Sequence, residues 1–260
     1  MRRSSVAQLL NVTLIFLFAI IVPKSAARTF NCSGSVTCHA LIDYSIPNDT
    51  SLSQLGSLFG LKDLRPLLAA NNLSISTPSH LTLPANRTVR IPFTCRCARG
   101  SGTSDGYPVY RVRKDDFLYH IANDIFRSLV TVEDIVVANK IPDPSLIDIG
   151  QKLRIPLPCS CDRVEGSDVL HYGHLVEPLR TVEGIAKEYG VAEATLLRRN
   201  GITDPKNLKA YDVLDVPLRA CSSKLRRDSP DYPLLIPNGT SMLTAGDCVT
   251  CSCHAANNWE

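Results

Sequence analysis

Residues 110–161 read YRVRKDDFLYHIANDIFRSLVTVEDIVVANKIPDPSLIDIGQKLRIPLPCSC. The alternation of apolar and charged residues at the start predicts a short strand, and residues 152–156 predict a second short strand that a proline ends. Two helix-like stretches lie between them, from about residue 117 to 126 and from 131 to 139. This part of the chain therefore predicts a strand–helix–helix–strand unit.

The ending of this unit occurs three times in the chain. It reads VRIPFTC at residues 89–95, LRIPLPC at 153–159 and LDVPLRAC at 214–221, and its prolines lie 64 and then 61 residues apart by subtraction of their numbers. An asparagine closes the helical stretch before each ending, and these residues are Asn71, Asn139 and Asn200. Upstream of the first ending, residues 51–68 have leucines spaced for two short amphipathic helices. The pattern predicts three homologous units.

Length and charge narrow the class of protein. A chain of 260 residues has room for one large domain or for two or three small ones. The net charge is only +3, and no basic run is interleaved with aromatic residues, so nucleic acid is excluded as the expected partner.

The N-terminus predicts secretion. Met1-Arg2-Arg3 precedes an apolar run and then Ser25-Ala26-Ala27, which is the order of a signal peptide over residues 1–27. The apolar run is shorter than the roughly 18 residues expected of a membrane span. An oxidising compartment favours disulfides for the ten cysteines. It also favours glycosylation of the Asn-x-Ser/Thr sites, which are Asn31, Asn48, Asn72, Asn86 and Asn238.

The repeated motifs carry a family resemblance. The order of strand, xxIA helix, leucine-to-asparagine helix and LxIP strand resembles the LysM carbohydrate-binding module. Units joined by Cys-x-Cys pairs resemble the extracellular region of plant LysM receptors, and residues 221–253 resemble the kinase-less, lipid-anchored class among them. The resemblance implies an α+β fold of three tandem LysM units (βααβ) held together by disulfides. We expect these units over residues 28–94, 107–158 and 170–219, followed by a cysteine-rich, incomplete C-terminal segment over 221–260.

The cysteines do not select their own partners. Cysteines two apart in an extended chain point to opposite faces, so Cys95 should not bond Cys97, nor Cys159 bond Cys161. With the two cysteines nearest the leader this makes six, for which 15 pairings exist. The family resemblance implies three pairs: Cys32 with Cys97, Cys38 with Cys161, and Cys95 with Cys159.

The C-terminal cysteines admit two interpretations. Cys248, Cys251, Cys253 and His254 have spacing that would suit zinc. Secretion favours disulfides instead, with Cys221–Cys253 as the expected pair and the partners of Cys248 and Cys251 left open.

No active site is expected from the sequence. Asp115 and Asp116 are adjacent, and neighbouring carboxylates do not face one substrate from two sides as glycoside hydrolysis requires. We interpret His171 and His174 as surface or strand residues rather than as metal or acid–base groups. No Gly-x-Ser-x-Gly motif occurs. We therefore predict a protein that is not an enzyme and that has no metal and no cofactor.

The family resemblance implies a shallow groove that binds a linear N-acetylglucosamine chain between two loops. In the second unit, the first loop is expected to consist of Arg113, Lys114, Asp115, Asp116, Phe117, Leu118 and Tyr119. The second loop is expected to consist of Ile141, Pro142, Asp143, Pro144, Ser145, Leu146 and Ile147. Backbone groups would bond the acetamide and the hydroxyls, and Ile141, Pro142, Leu146 or Ile147 would shelter the acetyl methyl. The alternative is that the second loop is a proline-stiffened connection whose apolar residues pack inward.

The second unit is the expected site because glycans at Asn72 and Asn86 would obstruct the first, while the third is a weaker candidate. The resemblance implies a pattern-recognition receptor that binds chitin in plant innate immunity with a LysM receptor kinase as co-receptor, and with a ligand-bridged homodimer on long oligomers. Two alternatives are a peptidoglycan-binding relative and a secreted hydrolase bearing LysM units. The family carries a glycosylphosphatidylinositol anchor on the outer face of the plasma membrane. This chain lacks the anchor signal, so we expect an incomplete form or release to the apoplast.

Overall fold

The computed structural model describes residues 29–106, 108–222, 235–238, 240–244 and 249–253. The expected signal peptide, Cys248 and His254 lie outside these residues. Within the described part of the chain, no helix is long and apolar enough to cross a membrane.

A strand–helix–helix–strand order occurs three times along the chain. In the first segment, residues 37–98, the elements are β2 (Thr37–Ser45), α1 (Leu52–Phe59), α2 (Arg65–Ala70) and β5 (Thr88–Ala98). Three strands of two residues and one of four accompany them: β1 (Phe30–Asn31), β3 (Thr50–Ser51), β4 (Thr82–Leu83) and β6 (Ser101–Ser104). Helix α1 starts at a capping box in which Ser51 accepts from the backbone N–H of Gln54 and the Gln54 side chain accepts from the Ser51 N–H.

The second segment, residues 109–154, contains the stretch that best fits the repeat. It consists of β7 (Val109–Arg111), α3 (Leu118–His120), a π-helical turn (Ile121–Ile125), α4 (Val132–Asn139) and β8 (Lys152–Arg154). The expected single helix over residues 117–126 is therefore a short α-helix that continues as a π-turn. The second expected helix is confirmed, and Thr131 caps it by accepting from the N–H of Asp134.

The third segment, residues 169–222, is regular. It consists of β9 (Val169–Leu175), α5 (Val182–Tyr189), α6 (Glu193–Arg199), a 3₁₀ turn (Pro205–Asn207) and β10 (Val213–Ser222). Three short strands follow it: β11 (Leu235–Pro237), β12 (Ser241–Thr244) and β13 (Val249–Ser252).

The first and third segments share one sheet. Its strand order is β1-β6-β5-β2-β9-β10-β11, and β2 runs parallel to β9, with Ile42 opposite Gly173. A Cβ on Gly173 would lie 2.9 Å from Cγ1 of Ile42, so the two strands approach closely only because that residue is glycine. The second segment forms its own two-stranded sheet, β7–β8. The first and third segments are thus joined through one sheet, in addition to the disulfides that were expected to hold the units together.

The three repeated asparagines have one structural role. The Nδ2 groups of Asn71, Asn139 and Asn200 each donate 2.8 Å to the carbonyl four residues earlier in their helix. The same side chains bridge to the last strand of their segment, where each bonds both the N–H and the C=O of one residue: Arg90, Arg154 or Asp215. An asparagine that satisfies helix and strand backbone together explains why this residue type recurs at the position.

Two buried clusters join the segments. Phe126 of the second segment packs edge-on against Phe59 of the first and against Tyr110 of its own, with ring centroids 6.0 Å apart in both cases. The Tyr44 hydroxyl donates to the carbonyl of Ile125 at 2.9 Å. The second cluster belongs to the third segment and includes Leu41 of the first. The second and third segments thus each bury residues against the first.

Four disulfides tie the described residues. They join Cys32 to Cys97, Cys38 to Cys161, Cys95 to Cys159, and Cys221 to Cys253. The first three are the pairs that the family resemblance implied, and the fourth is the pair favoured over zinc. Two of them connect the first segment to the stretch that directly follows the second segment, over sequence separations of 123 and 64 residues. Crosslinks over loops this long restrict the unfolded chain strongly.

Candidate functional site

The two expected loops leave the β7–β8 hairpin at the same end. Beyond the paired strands, the Val112 N–H donates to the carbonyl of Gln151 at 2.9 Å, and the Gly150 N–H donates to the carbonyl of Val112 at 2.8 Å. Since the hairpin is antiparallel, the residues after β7 and those before β8 meet there. This register brings the first loop (residues 113–119) and the second loop (residues 141–147) to one end of the segment.

Asp116 holds the first loop in shape. Its Oδ2 accepts from the Tyr110 hydroxyl at 2.8 Å and from the Arg113 N–H at 2.7 Å. Burial, together with the hydrogen bond to Asp116, raises the pKa of Tyr110 to about 12, so this tyrosine remains a donor at physiological pH. The Asp116 carboxylate is thus engaged within the loop through its Oδ2. Arg113, Lys114 and Asp115 are exposed beside it.

An aromatic pair stands on the outside of the first loop. Phe117 and Tyr119 are 56% and 63% exposed, and their rings lie nearly parallel, with centroids 6.5 Å apart and an angle of 9° between the planes. The His120 ring lies 5.8 Å from that of Phe117. Flat aromatic surfaces left open to water in this way are suited to the apolar face of a ligand ring.

The second loop is a preformed turn. Asp143 Oδ1 accepts from the Ser145 N–H at 2.9 Å and from its hydroxyl at 2.6 Å, and these bonds hold the pKa of Asp143 below its usual value. The Leu146 N–H closes the turn by donating to the Asp143 carbonyl at 3.0 Å. Pro142, Pro144 and Leu146 are exposed, with Leu146 at 72%, and Ile147 is half-buried.

Two residues of the expected groove have a different role. Leu118 and Ile141 are buried in the core with Phe126 and Ile135. Ile141 follows Lys140, which ends α4 in the left-handed conformation, and its N–H donates to the carbonyl of Val136 at 3.1 Å. This turn directs the side chain inward. Of the four residues expected as alternatives to shelter an acetyl methyl, Ile141 is therefore buried, whereas Pro142 and Leu146 are exposed.

The two histidines on β9 are strand residues, but they are buried rather than at the surface. His171 Nδ1 lies 2.6 Å from Asp215 Oδ1, and its Nε2 lies 2.8 Å from the carbonyl of Asp162. His174 Nδ1 lies 2.8 Å from Asp43 Oδ2. Sequence reasoning did not find these carboxylates because they come from neighbouring strands, 44 and 131 residues away.

The five expected glycosylation sites are accessible. Asn31, Asn48, Asn72, Asn86 and Asn238 are all exposed. Asn72 and Asn86 border a cavity between the first and third segments. Asn48 borders another cavity together with Arg113, Lys114 and Asp116, so a glycan there would stand beside the first loop of the second segment.

Comparisons with known proteins agree on one family. The LysM domain model matches residues 110–156 and 181–217. The LysM domain-containing GPI-anchored protein 2 of Arabidopsis thaliana is 44% identical over 252 residues, which cover 96% of this chain and 72% of the relative. The chitin elicitor-binding protein of Oryza sativa subsp. japonica is 45% identical over 236 residues, which cover 90% of this chain and 66% of the relative. Among solved structures, the ectodomain of a receptor-like kinase shares the fold, with a TM-score of 0.57 and 24% identity over 72% of this chain and 94% of that one.

Proposed function

The chain belongs to the plant family of LysM domain-containing GPI-anchored proteins, and from that premise we propose that it binds chitin oligosaccharides as a non-enzymatic pattern-recognition receptor outside the plant cell. One relative carries chitin elicitor binding in its name. The first segment, which the family model does not match, is on this proposal a divergent LysM unit over residues 28–94. It precedes units over 107–158 and 170–219 and the cysteine-rich segment 221–260.

One observation carries the choice of ligand and site: the parallel, exposed rings of Phe117 and Tyr119 stand at the same end of the hairpin as the preformed turn of the second loop. The rings offer a flat surface to the apolar face of a sugar, and exposed Leu146 offers a contact for the acetyl methyl. The exposed polar residues of the loops, Asp115 and Asp143 among them, face the hydroxyls. Because the turn is closed before a ligand arrives, binding costs less ordering entropy.

The proposal of a binding protein rather than a hydrolase follows from the loop chemistry. Asp116 already accepts two hydrogen bonds within its loop. Asp143 is exposed, and its Ser145 bonds favour the carboxylate form over the protonated form that a general acid needs. Neither residue has the environment of the carboxylic acid that protonates a glycosidic oxygen.

Signalling on this proposal requires a second protein. We expect the ligand to be presented to a LysM receptor kinase at the outer face of the plasma membrane or in the apoplast. A shallow site binds modestly, so a long chitin oligomer that bridges two copies of the chain into a homodimer gains affinity through effective concentration.

The test is a titration with chitin oligosaccharide of the secreted protein and of the Tyr119→Ser, Leu146→Ser double variant. Both side chains are more than 60% exposed, so their loss should leave the fold intact. Removing an aromatic surface and an apolar contact should weaken binding by about tenfold or more. Val137→Ser is the matched control because Val137 is 65% exposed in the same segment but lies on α4, outside both loops.

Equal affinities for the wild type and the double variant would place the ligand elsewhere and sink the proposed site. Competition between chitin and peptidoglycan fragments distinguishes the proposed ligand from the nearest alternative, peptidoglycan. If muropeptides displace chitin at lower concentration than chitin displaces them, the chain is a peptidoglycan receptor instead.

A further inference from the structure

The cavity that Asn72 and Asn86 border lies over the junction of the first and third segments, and no residue of the first loop or the second loop lines it. It has a volume of about 950 Å³ and is open to solvent. Its residues come from β2, β5 and α2 on one side and from β9 and α5 on the other, and Asn123, Arg127 and Ser128 of the second segment also line it. We call it the inter-segment cleft. It exists only because β2 and β9 pair in one sheet.

The buried part of the cleft contains a polar cluster. The Asp43 carboxylate accepts from the Tyr172 hydroxyl and lies 2.8 Å from His174 Nδ1. All three residues are buried. Because a carboxylate oxygen can only accept a hydrogen bond, the Nδ1 atom of His174 carries the hydrogen and donates it to Asp43.

His174 is left with one unused polar atom. Its Nε2 is buried and has no hydrogen-bond partner among the described residues. Buried polar atoms without partners are rare, because each forfeits its hydrogen bond to water. The residue itself lines the cleft, so its ring reports on what occupies the cleft.

The side chains around the cluster favour an anion. Four arginines and three carboxylates line the cleft. The arginines are Arg87, Arg90, Arg127 and Arg180, and the carboxylates are those of Asp43, Glu177 and Glu188. Asp43 is used within the buried cluster, and Glu188 pairs with Arg180. Arg87, Arg90 and Arg127 form no ion pair with any carboxylate in the described parts of the chain. Guanidinium groups bind carboxylates through paired, charge-assisted hydrogen bonds.

The remaining lining is suited to a sugar. The guanidinium carbon of Arg90 lies 5.5 Å from the centroid of the Tyr172 ring. The side-chain amide of Asn71 bonds both the backbone N–H and the backbone C=O of Arg90. Burial raises the pKa of Tyr189 to about 12, so its hydroxyl stays protonated. The amides of Asn72 and Asn123 line the same cleft. Hydroxyls, amides and aromatic faces around a basic centre are the groups that recognise a polyhydroxylated acid.

We propose that the inter-segment cleft is a second carbohydrate site, distinct from the loops of the second segment, and that it takes a carboxylate-bearing oligosaccharide. Two sources offer this chemistry: a uronic-acid oligosaccharide and a muramic-acid glycan fragment. Chitin, which has no carboxylate, is excluded from the cleft by the same reasoning.

The experiment measures binding of oligogalacturonate and, separately, of an N-acetylmuramic-acid glycan fragment to the secreted full chain at low ionic strength. Because glycans at Asn72 and Asn86 would stand at the rim, a second preparation carries Ser74→Ala and Thr88→Val, which remove both glycosylation motifs and keep the asparagines. We expect at least one of the two acids to bind, and the acid that binds identifies the source.

The decisive variant is Arg87→Gln, Arg90→Gln, since both arginines line the cleft and neither lines the cavity beside the first loop. It should weaken binding of the acid by about tenfold or more and leave chitin binding unchanged. The charge-matched control is Arg163→Gln, Arg198→Gln, which removes two exposed arginines that pair with Asp168 and Glu165 outside the cleft. The imidazole ¹⁵N signals of His174 should shift when the acid saturates the wild-type protein.

Three results would overturn the proposal. One is that neither acid binds the preparation without the two glycosylation motifs. Another is that both arginine pairs lower the affinity equally, which would show unspecific attraction. The third is that chitin competes for the acid, or that the His174 signals do not move. Failure of chitin to bind the second segment would leave the titrations with the two acids and the His174 signals unaffected, so the two proposals fail separately.

Discussion

The first helix of the second segment and that of the third begin alike but are stabilised differently. Thr181 caps α5 by accepting from the Gly184 N–H at 3.1 Å, and the helix runs regularly to Gly190, which ends it at φ 64°. Phe117 has the same extended backbone at the start of α3, yet it offers no capping oxygen. The helix there lasts three residues before the π-turn begins.

The π-turn accommodates one additional residue. Eight positions separate the cap from the last aromatic residue in the first and third segments, Ser51 to Phe59 and Thr181 to Tyr189, whereas nine separate Phe117 from Phe126. The Phe126 N–H donates to the carbonyl five residues earlier at 3.0 Å, which is the π-type bond. The widened turn lets Phe126 reach the core position of its counterparts.

The difference shows that the second segment has an irregular first helix next to its proposed ligand site. The segment whose sequence fits the repeat best has the least regular first helix, and the irregularity begins at the exposed aromatic pair of the proposed chitin site. A residue that would cap the helix is replaced by one that offers surface to a ligand, as expected where function and local stability compete.

The largest expected effect comes from breaking the core end of this helix. Phe126→Ala removes a fully buried ring that contacts Phe59 and Tyr110, and should lower the free energy of unfolding by about 3–5 kcal/mol. Phe117→Ala is the matched control, since it deletes the same ring at the exposed end and should cost under about 0.5 kcal/mol. Urea unfolding of both variants measures the difference. Similar losses would show that the π-turn does not serve to bury Phe126.

A smaller effect of opposite sign tests the exchange of cap for ligand surface. Phe117→Thr supplies the oxygen that Thr181 supplies in the third segment, and should stabilise the protein by about 1 kcal/mol. The same change removes half of the aromatic pair and should weaken chitin binding. Thermal unfolding and titration of one preparation measure both. If stability and affinity rise together, the two demands on this position do not compete.

The smallest expected effect concerns the residue two positions before each cap. Asp115 and Leu179 both adopt left-handed backbone, at φ 67° and 69°. A short polar residue tolerates this conformation better than leucine does. Leu179→Gly should therefore stabilise the protein by about 0.5–1 kcal/mol, and Asp115→Gly by less. Precise urea midpoints decide, and a larger gain at Asp115 would contradict this interpretation.

The sequence predicted those parts of the fold that rest on neighbours in the chain. The second helix of the repeat was placed to within a residue at 131–139, because its cap and apolar spacing lie within one short stretch. The first helix of the repeat was predicted as a single helix. The π-turn was not predicted because one extra residue leaves the apolar pattern almost unchanged. Leu118 and Ile141 look like surface apolar residues in their loops, and only packing shows that they are buried.

By itself the sequence determined the repeated strand–helix–helix–strand order, the asparagine that closes each helical stretch, and the family through its motifs. Each depends on spacings of a few residues, which a single chain displays directly. Only the tertiary structure decided that β2 and β9 pair in parallel, that Asp43 meets His174 across 131 residues, and that a cleft opens above them. Pairing between distant strands leaves no local pattern, because it is fixed by how the segments pack.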